Sequence, residues 1–368
     1  MPAKKKVRYA VIGQGYFAQI AILPAFAKAK KNSELVALVS DDPIKLEALG
    51  QEYGVTRLIG YDDVDELLGS GAVDAVYIAL PNSMHREYTE RAARHGVHVL
   101  CEKPLGVTCE DAEAMVKACA EGGVKLMTAY RLHFEEANLR AVEIVTSGQL
   151  GEPRFFSSVF GMNVKEGNIR LDRDLGGGPL WDIGIYCINA ARYLFRAEPL
   201  EVFGVGASRS DGRFREVHEQ VAATLRFPDD RLASFTVSFG SADVSAYDVV
   251  GTKGSLHVEP AYEFAGDLKH VLRVEGKETR KTFKKRDQVA PELIYFSRCI
   301  LEDREPEPSG REGLADLRVI EALYASVKTG VPVKLEPFDT QPRPSIEQED
   351  HAPASEEPEL VNTEQPSP

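Results

Sequence analysis

The stretch Val7-Arg8-Tyr9-Ala10-Val11-Ile12-Gly13-Gln14-Gly15-Tyr16-Phe17-Ala18 decides the fold. A mostly apolar run ends on a glycine, and a GxGxxA spacing then opens a helical pattern from Tyr16 to Lys30. Strand, tight turn and helix in that order is a dinucleotide-binding arrangement. The first glycine permits the turn, the second lets backbone approach a pyrophosphate, and the small third residue lets helix and strand pack closely. A glycine turn alone is a weak sign, but a second strand at Glu34–Ser40 follows where the fingerprint requires it. Gly13, Gly15, Tyr16, Phe17 and Ala18 are therefore candidate cofactor-binding residues.

Outward from this point the rhythm continues. Apolar strands at Asp74–Leu80, His98–Glu102 and Lys125–Tyr130 alternate with helical patterns at Pro43–Tyr53, Ser83–His95 and Cys109–Glu121. Near-continuous apolar strands between helices mean a parallel sheet covered on both faces, the doubly wound α/β pattern. After about Tyr130 the pattern changes to a helix at Asn138–Ser147, the strand-like Pro153–Gly161, a helix at Pro179–Phe195 and then mostly strands to about Glu259. In Leu232–Phe239, Ala233, Phe235, Val237 and Phe239 share one face while Leu232, Ser234, Thr236 and Ser238 share the other. Such alternation predicts an antiparallel sheet with one drier face. Helical patterns return at Pro291–Glu302 and Glu312–Thr329. The expected division is a Rossmann domain over residues 1–130, an α+β domain with a large, mostly antiparallel open sheet over 131–337, and a tail over 338–368.

The tail explains much of the composition. The chain has 368 residues and a formal charge of −13. From Gln341 onward seven acidic residues face the single Arg343, with six prolines and no aromatic residue. Such a segment is too poor in apolar side chains to offset its ordering entropy, so disorder is expected there. The net charge opposes broad phosphate-backbone binding and so argues against nucleic acid as a partner. No apolar stretch approaches the roughly 18 residues of a membrane span. Five cysteines without a CxxC pair point to reduced thiols in a cytoplasmic protein. The eight histidines form no ligand-spaced pair with carboxylates, so no metal is expected.

Several strand ends carry chemistry. At the end of the second strand Asp41 suits a ribose 2′-hydroxyl and hence NAD, whereas Ser40 and Lys45 suit the 2′-phosphate of NADP; alternatively Asp41 and Asp42 cap the helix at Pro43. In LPNSMH, Leu80, Asn82 and His85 either stand beside the nicotinamide or belong to a helix start. In CEKPLG, Glu102 and Lys103 sit at a strand end where open α/β sheets bind ligands, and Pro104 keeps Lys103 extended. Arg131 and His133 sit just past the next strand end, which brings them toward the same cleft, Arg131 as a cofactor-binding candidate. In GGGPLWDIGIYCINAARYLF, Asp182, Tyr186 and Asn189 fall on one polar helical stripe, suited to a polyhydroxylated substrate. A lysine beside such a phenol stabilises the phenolate.

Taken together, GQGYFA, VSDDPIKL, YIALPNSMH, CEKPLG, AYRLHF and IRLDRDLGGGPLWDIGIYCINAARYLF resemble the glucose-fructose oxidoreductase / inositol dehydrogenase / rhizopine-catabolism (Gfo/Idh/MocA) family, from about Val7 to Lys334. Within it the chain is most similar to glucose-fructose oxidoreductase and related aldose oxidoreductases. The resemblance implies a Rossmann domain followed by an open sheet used for homodimer or homotetramer contacts. It also implies a pyrophosphate cradle at Gly13, Gly15 and Ala18, and a 2′-phosphate site at Ser40 and Lys45. The nicotinamide end would be lined by Leu80, Asn82, His85, Glu102 and Lys103, with catalytic positions at Lys103, Asp182 and Tyr186. The Lys103–Pro104 bond is often cis in relatives. Asp41 stands where the glucose-fructose enzyme has a small residue, and that enzyme's export signal and proline-rich arm are missing. The expected reaction is hydride transfer between C1 of a cyclic aldose, glucose- or xylose-like, and tightly held NADP, giving a lactone, with a second sugar or carbonyl compound as acceptor if the cofactor stays bound. The alternatives are a dehydrogenase releasing soluble cofactor, an NAD-retaining glycosidase of related fold and a non-catalytic NADP sensor.

Overall fold

Strands that are apolar on both sides must be covered on both sides, and the first domain meets that requirement with one parallel sheet. The computed structural model describes residues 6–210, 212–339, 343–356 and 358–367. Strands β1 (Val7–Ile12), β2 (Ser33–Val39), β3 (Arg57–Ile59), β4 (Ala75–Ile78), β5 (His98–Glu102) and β6 (Leu126–Ala129) line up in the order β3-β2-β1-β4-β5-β6. β1 runs parallel to both β2 and β4. The strand order reverses there, which opens a crevice beyond the C-terminal ends of β1 and β4.

Helices α1 (Leu23–Phe26), α2 (Pro43–Tyr53), α3 (Val64–Gly69), α4 (His85–Arg94) and α5 (Cys109–Glu121) connect these strands. At α2, Asp42 accepts hydrogen bonds from the amides of Ile44 and Lys45, and Pro43 occupies the first helical position. α5 starts with a reciprocal capping box between Thr108 and Asp111. The helix expected over Tyr16–Lys30 is instead a π-helical turn at Ala18–Ile22 followed by the short α1. Pro24 has no N–H to give the Ile20 carbonyl and crowds it, and the coil widens so that the Leu23 amide reaches the Ala18 carbonyl.

α6 (Glu136–Thr146) leads into the second sheet. It contains β7 (Pro153–Asn163), then, after α7 (Ile185–Phe195), β8 (Glu201–Ala207), β9 (Gln220–Arg226), β10 (Leu232–Ser238), β11 (Gly240–Gly251), β12 (Gly254–Val258), β13 (Leu268–Val274) and β14 (Lys277–Phe283). α8 (Val289–Leu301), α9 (Gly310–Thr329) and β15 (Val333–Lys334) complete it, in the sheet order β14-β13-β12-β11-β7-β10-β9-β8-β15. Only the β7–β10 pair is parallel. The expected alternation holds from Leu232 to Val237, with Ala233, Phe235 and Val237 buried and Leu232 48% exposed, but Ser238 on the opposite face is buried like Phe239. Phe155, Val159, Phe203, Val205 and Val244 also lie exposed in this sheet. α9 packs against β8 and α5, and so joins the two domains. The β13–β14 hairpin went unread in the sequence because β14 is an edge strand with nearly every side chain exposed, leaving no alternation to detect.

The segment expected to be disordered lies on the body instead. Arg343 is buried against Glu312 and Glu198, Gln348 bonds to Glu307, and Ala352 joins the core beneath α1 and α8. Composition judges whether a segment can build its own core; this one borrows an existing core. Residues 340–342, 357 and 368 of that segment lie outside the described residues. Among the described residues no helix is long and apolar enough to cross a membrane.

Candidate active site

The turn after β1 is held by the bond from the Gly13 amide to the Val39 carbonyl, 3.0 Å. Gly13 has φ +97°, and a Cβ there would stand 2.5 Å from the Ala79 carbonyl oxygen, so no other residue fits. A Cβ on Gly15 would meet nothing in the protein, so this backbone faces open space. That is the cradle a pyrophosphate needs, and it satisfies the requirement for a dinucleotide. The cleft in front of it measures about 1390 Å³. This exceeds the roughly 300–1,000 Å³ of a single-ligand pocket, leaving room for a cofactor and a substrate together.

Gly13, Gly15, Tyr16, Phe17, Ala18, Ser40, Lys45, Leu80, Asn82, Glu102, Lys103, Arg131, Asp182 and Tyr186 all line this one cleft. Ser40 and Lys45 enter this wall just past β2. Asp41, the residue that would favour NAD, is not among the wall residues, and its carboxylate accepts from the amide of Tyr61, which is one, at 3.0 Å.

At the other end, Lys103 follows β5 through a cis Lys103–Pro104 bond. Its Nζ donates to the Asp182 carbonyl at 2.9 Å and to Asp182 Oδ1 at 3.1 Å, and lies 4.7 Å from the Tyr186 ring centroid. The Arg131 guanidinium lies 5.1 Å from the same ring. Two cations thus flank one phenol. Burial disfavours the Lys103 ammonium, but Tyr186, Asp182 and Glu102 outweigh it and hold its pKa above the ordinary lysine value. Burial likewise disfavours the Asp182 carboxylate, and Arg170 and Lys103 overcome it, holding that carboxyl well below the usual range. Asp182 therefore stays ionised.

Asp182 belongs to a π-helical turn, Leu180–Gly184, that precedes α7, and Tyr186 to the first turn of α7 itself. The loop before them wraps around the Arg170–Asp172 backbone. The amides of Gly177 and Gly178 donate to the carbonyls of Asp172 and Arg170, and a Cβ on Gly177 would stand 2.5 Å from the latter. This close approach places Arg170, whose Nε donates to Asp182 Oδ2 at 2.6 Å. Sequence reading passed over Arg170 as a site residue, although it lies in the IRLDRDLGGG motif. Phe160, Tyr262 and Phe264, also in the cleft wall, come from strands and loops remote in sequence.

Two expected site residues are corrected. His85 is fully buried outside the cleft wall, with its ring nitrogens 2.9 and 3.0 Å from the carbonyls of Pro104 and Leu80. It braces the two strand-end turns and does not face the nicotinamide space. Asn189 is turned into the interior, bonding to His133, Glu312 and Asp316. The widened turn at Leu180–Gly184 breaks the regular stripe that aligned Asn189 with Asp182. His133 is likewise sealed, between Glu307 and Asn189. Beneath the cleft, Tyr77 donates to Glu102 and contacts the buried Glu292, whose pKa burial and the neighbouring Glu102 raise well above the carboxylate range.

A switch-point cleft with a glycine cradle at one end and a lysine–carboxylate–phenol group at the other defines a dinucleotide-dependent oxidoreductase. Residues 7–130 match an oxidoreductase family with an NAD-binding Rossmann fold, and residues 138–257 match the Gfo/Idh/MocA C-terminal domain. The chain belongs to the Gfo/Idh/MocA family of oxidoreductases. It is 36% identical over 338 residues to a D-xylose 1-dehydrogenase [NADP(+)] of Haloarcula marismortui, covering 90% of this chain and 93% of the relative. An aldose-aldose oxidoreductase from Caulobacter crescentus, solved with glycerol, superposes with TM-score 0.86 at 40% identity, covering 90% of this chain and 100% of that one. A 3-ketoreductase from Actinomadura kijaniata, solved with NADP and TDP-benzene, superposes with TM-score 0.79 at 26% identity over 88% of this chain and 98% of that one.

Proposed function

We propose that this protein is an NADP-dependent sugar oxidoreductase that oxidises a cyclic aldose at C1 to a lactone. The observation that carries the reading is the joining of Lys103, Asp182 and Tyr186 in the wall that also holds the glycine cradle. The cofactor is NADP: the Asp41 carboxylate is engaged by the Tyr61 amide, Ser40 and Lys45 line the cleft, one relative is named for that cofactor and another is solved with it. When bound, NADP supplies the hydride acceptor for C1. Tyr186 takes the proton of the C1 hydroxyl, Lys103 and Arg131 stabilise the phenolate, and ionised Asp182 accepts hydrogen bonds from sugar hydroxyls.

Retention of the cofactor, with a second sugar reoxidising it, is supported by the likeness to an aldose-aldose oxidoreductase. A second reading, release of NADPH at each turnover, is favoured by the likeness to a D-xylose dehydrogenase. Gel filtration with an absorbance scan, then aldoses added singly and in pairs, separates them. Bound cofactor with activity only on pairs supports the first, and net NADPH release supports the second. Tyr186→Phe should lower kcat by about 10²-fold or more through loss of the general base; unchanged turnover with intact cofactor binding refutes the assignment. The exposed apolar residues of the second sheet suit a homodimer or homotetramer contact, which light scattering tests. The five unpaired cysteines suit a cytoplasmic location.

A further inference from the structure

The segment from Val361 to Ser367 crosses the mouth of the cleft. The Val361 amide donates to Gln19 Oε1 at 2.8 Å, and Gln19 Nε2 returns a bond to the Val361 carbonyl at 2.9 Å. Asn362 Nδ2 donates to Asp42 Oδ2 at 2.7 Å, one turn from Ser40 and Lys45. Gln365, Pro366 and Ser367 then form part of the cleft wall, and the Pro366 carbonyl accepts from the Lys165 amide of the second domain at 3.0 Å. The segment is thus fastened to the Rossmann domain on one side and to the substrate domain on the other. Upstream it is secured again: Ser355 bonds to Lys28, and the Ala352 carbonyl accepts from Asp287.

We propose that residues 361–367 are part of the dinucleotide site and act as a strap that slows release of a 2′-phosphorylated dinucleotide. This rests on the reading of the cleft as an NADP site. With the strap in place the cleft still measures about 1390 Å³, and the glycine cradle, Ser40, Lys45 and the Lys103–Asp182–Tyr186 group still line it. The segment therefore forms part of the rim without filling the site. Its rim partners are Gln19 and Asp42, and Asp42 Oδ2 also lies 3.9 Å from Lys45 Nζ, so the strap is anchored directly beside the 2′-phosphate site. A dinucleotide held beneath a fastened segment leaves only when that segment opens, which acts on dissociation more than on association. Slow release is what an enzyme reoxidising its cofactor in place requires.

The test compares the full chain with a variant ending at Leu360 and with Asn362→Ala. Each is loaded with NADPH, chased with excess NADP, and its release followed by fluorescence; thermal melts check folding. The variant ending at Leu360 keeps the Arg343 and Ala352 anchors and should release NADPH at least about tenfold faster at unchanged Tm. Asn362→Ala should show a smaller rise and serves as the test if the shortened chain does not fold. In the full chain, NADP should slow hydrogen exchange at the Val361 amide. Equal release rates in all three proteins, or tighter retention by the shortened chain, overturn the strap. If no form binds NADPH, the cofactor reading itself fails and the strap falls with it.

Discussion

At one end of the segment Leu180–Phe195, Asp182 pairs with Lys103 and Arg170 in the wall of an open cleft. Toward the other end, Arg192 pairs with Glu198, Glu312 and Asp316 in complete burial, joined by Arg343 and Asn189. Both clusters combine a guanidinium, carboxylates and a nearby phenol, Tyr186 in one and Tyr130 in the other. What separates them is access. Asp182 retains an ionised carboxylate that a ligand can reach, whereas burial and the neighbouring Glu312 push the Asp316 carboxyl up, and its surroundings are filled by protein partners. Similar residue types make a reactive site where a cleft is left open and an internal brace where packing closes over them.

Substitutions can break this contrast, beginning with the largest effect. Lys103→Met should lower kcat by about 10²–10³-fold, as expected for removing an electrostatic group aimed at developing charge. Steady-state kinetics beside a thermal melt should show activity lost and the fold kept. Arg192→Met should do the reverse. It leaves the buried Asp316 without its cation, while Arg343 still pairs with Glu198 and Glu312; the loss of about 3–5 kcal/mol should appear as a large fall in Tm, with activity surviving at temperatures where the chain is folded.

Asn189→Ala is the sharper version, because the helical stripe assigns this residue to the substrate and the structure assigns it to the brace. Stability should fall by about 1–3 kcal/mol as His133, Glu312 and Asp316 lose a partner. KM for the sugar should not change; a raised KM at unchanged Tm would return Asn189 to the cleft.

The smallest expected effect concerns Glu292. A carboxyl whose pKa is higher in the folded chain than in the unfolded one binds its proton more tightly when folded, so stability declines as pH rises above the ordinary carboxylate range. Glu292→Gln removes that titration while keeping a hydrogen-bonding partner for Tyr77. Melts from acid to neutral pH should show the variant losing less stability across this window than the parent.

Much of the site was legible because it sits where strand ends must lie. Gly13, Gly15, Leu80, Glu102 and Lys103 follow β-strands whose apolar runs are unmistakable, and a parallel sheet brings all such ends to one edge. Asp182 and Tyr186 were readable from a glycine-rich loop feeding a helix. Arg170 was harder because its role depends on a loop doubling back on itself, and Tyr262 and Phe264 enter from beyond β12 with no local pattern. Asn189 misled because helical spacing names a direction around an axis but not what lies there, and the π-turn before it alters even that direction; His85 misled because a place just past a strand end does not say which way the side chain turns.

The sequence by itself determined the two kinds of sheet, the glycine cradle and the residues at the strand ends, because local periodicity and turn chemistry act within a few residues. Tertiary structure alone decided which charges face the cleft, that Asp41 bonds to the Tyr61 amide, and that residues 343–356 and 358–367 lie along the body, the last of them in the cleft wall. Those outcomes depend on burial and on partners hundreds of residues away, such as Gln19 with Val361, and no local pattern encodes a contact whose two halves meet only in the folded chain.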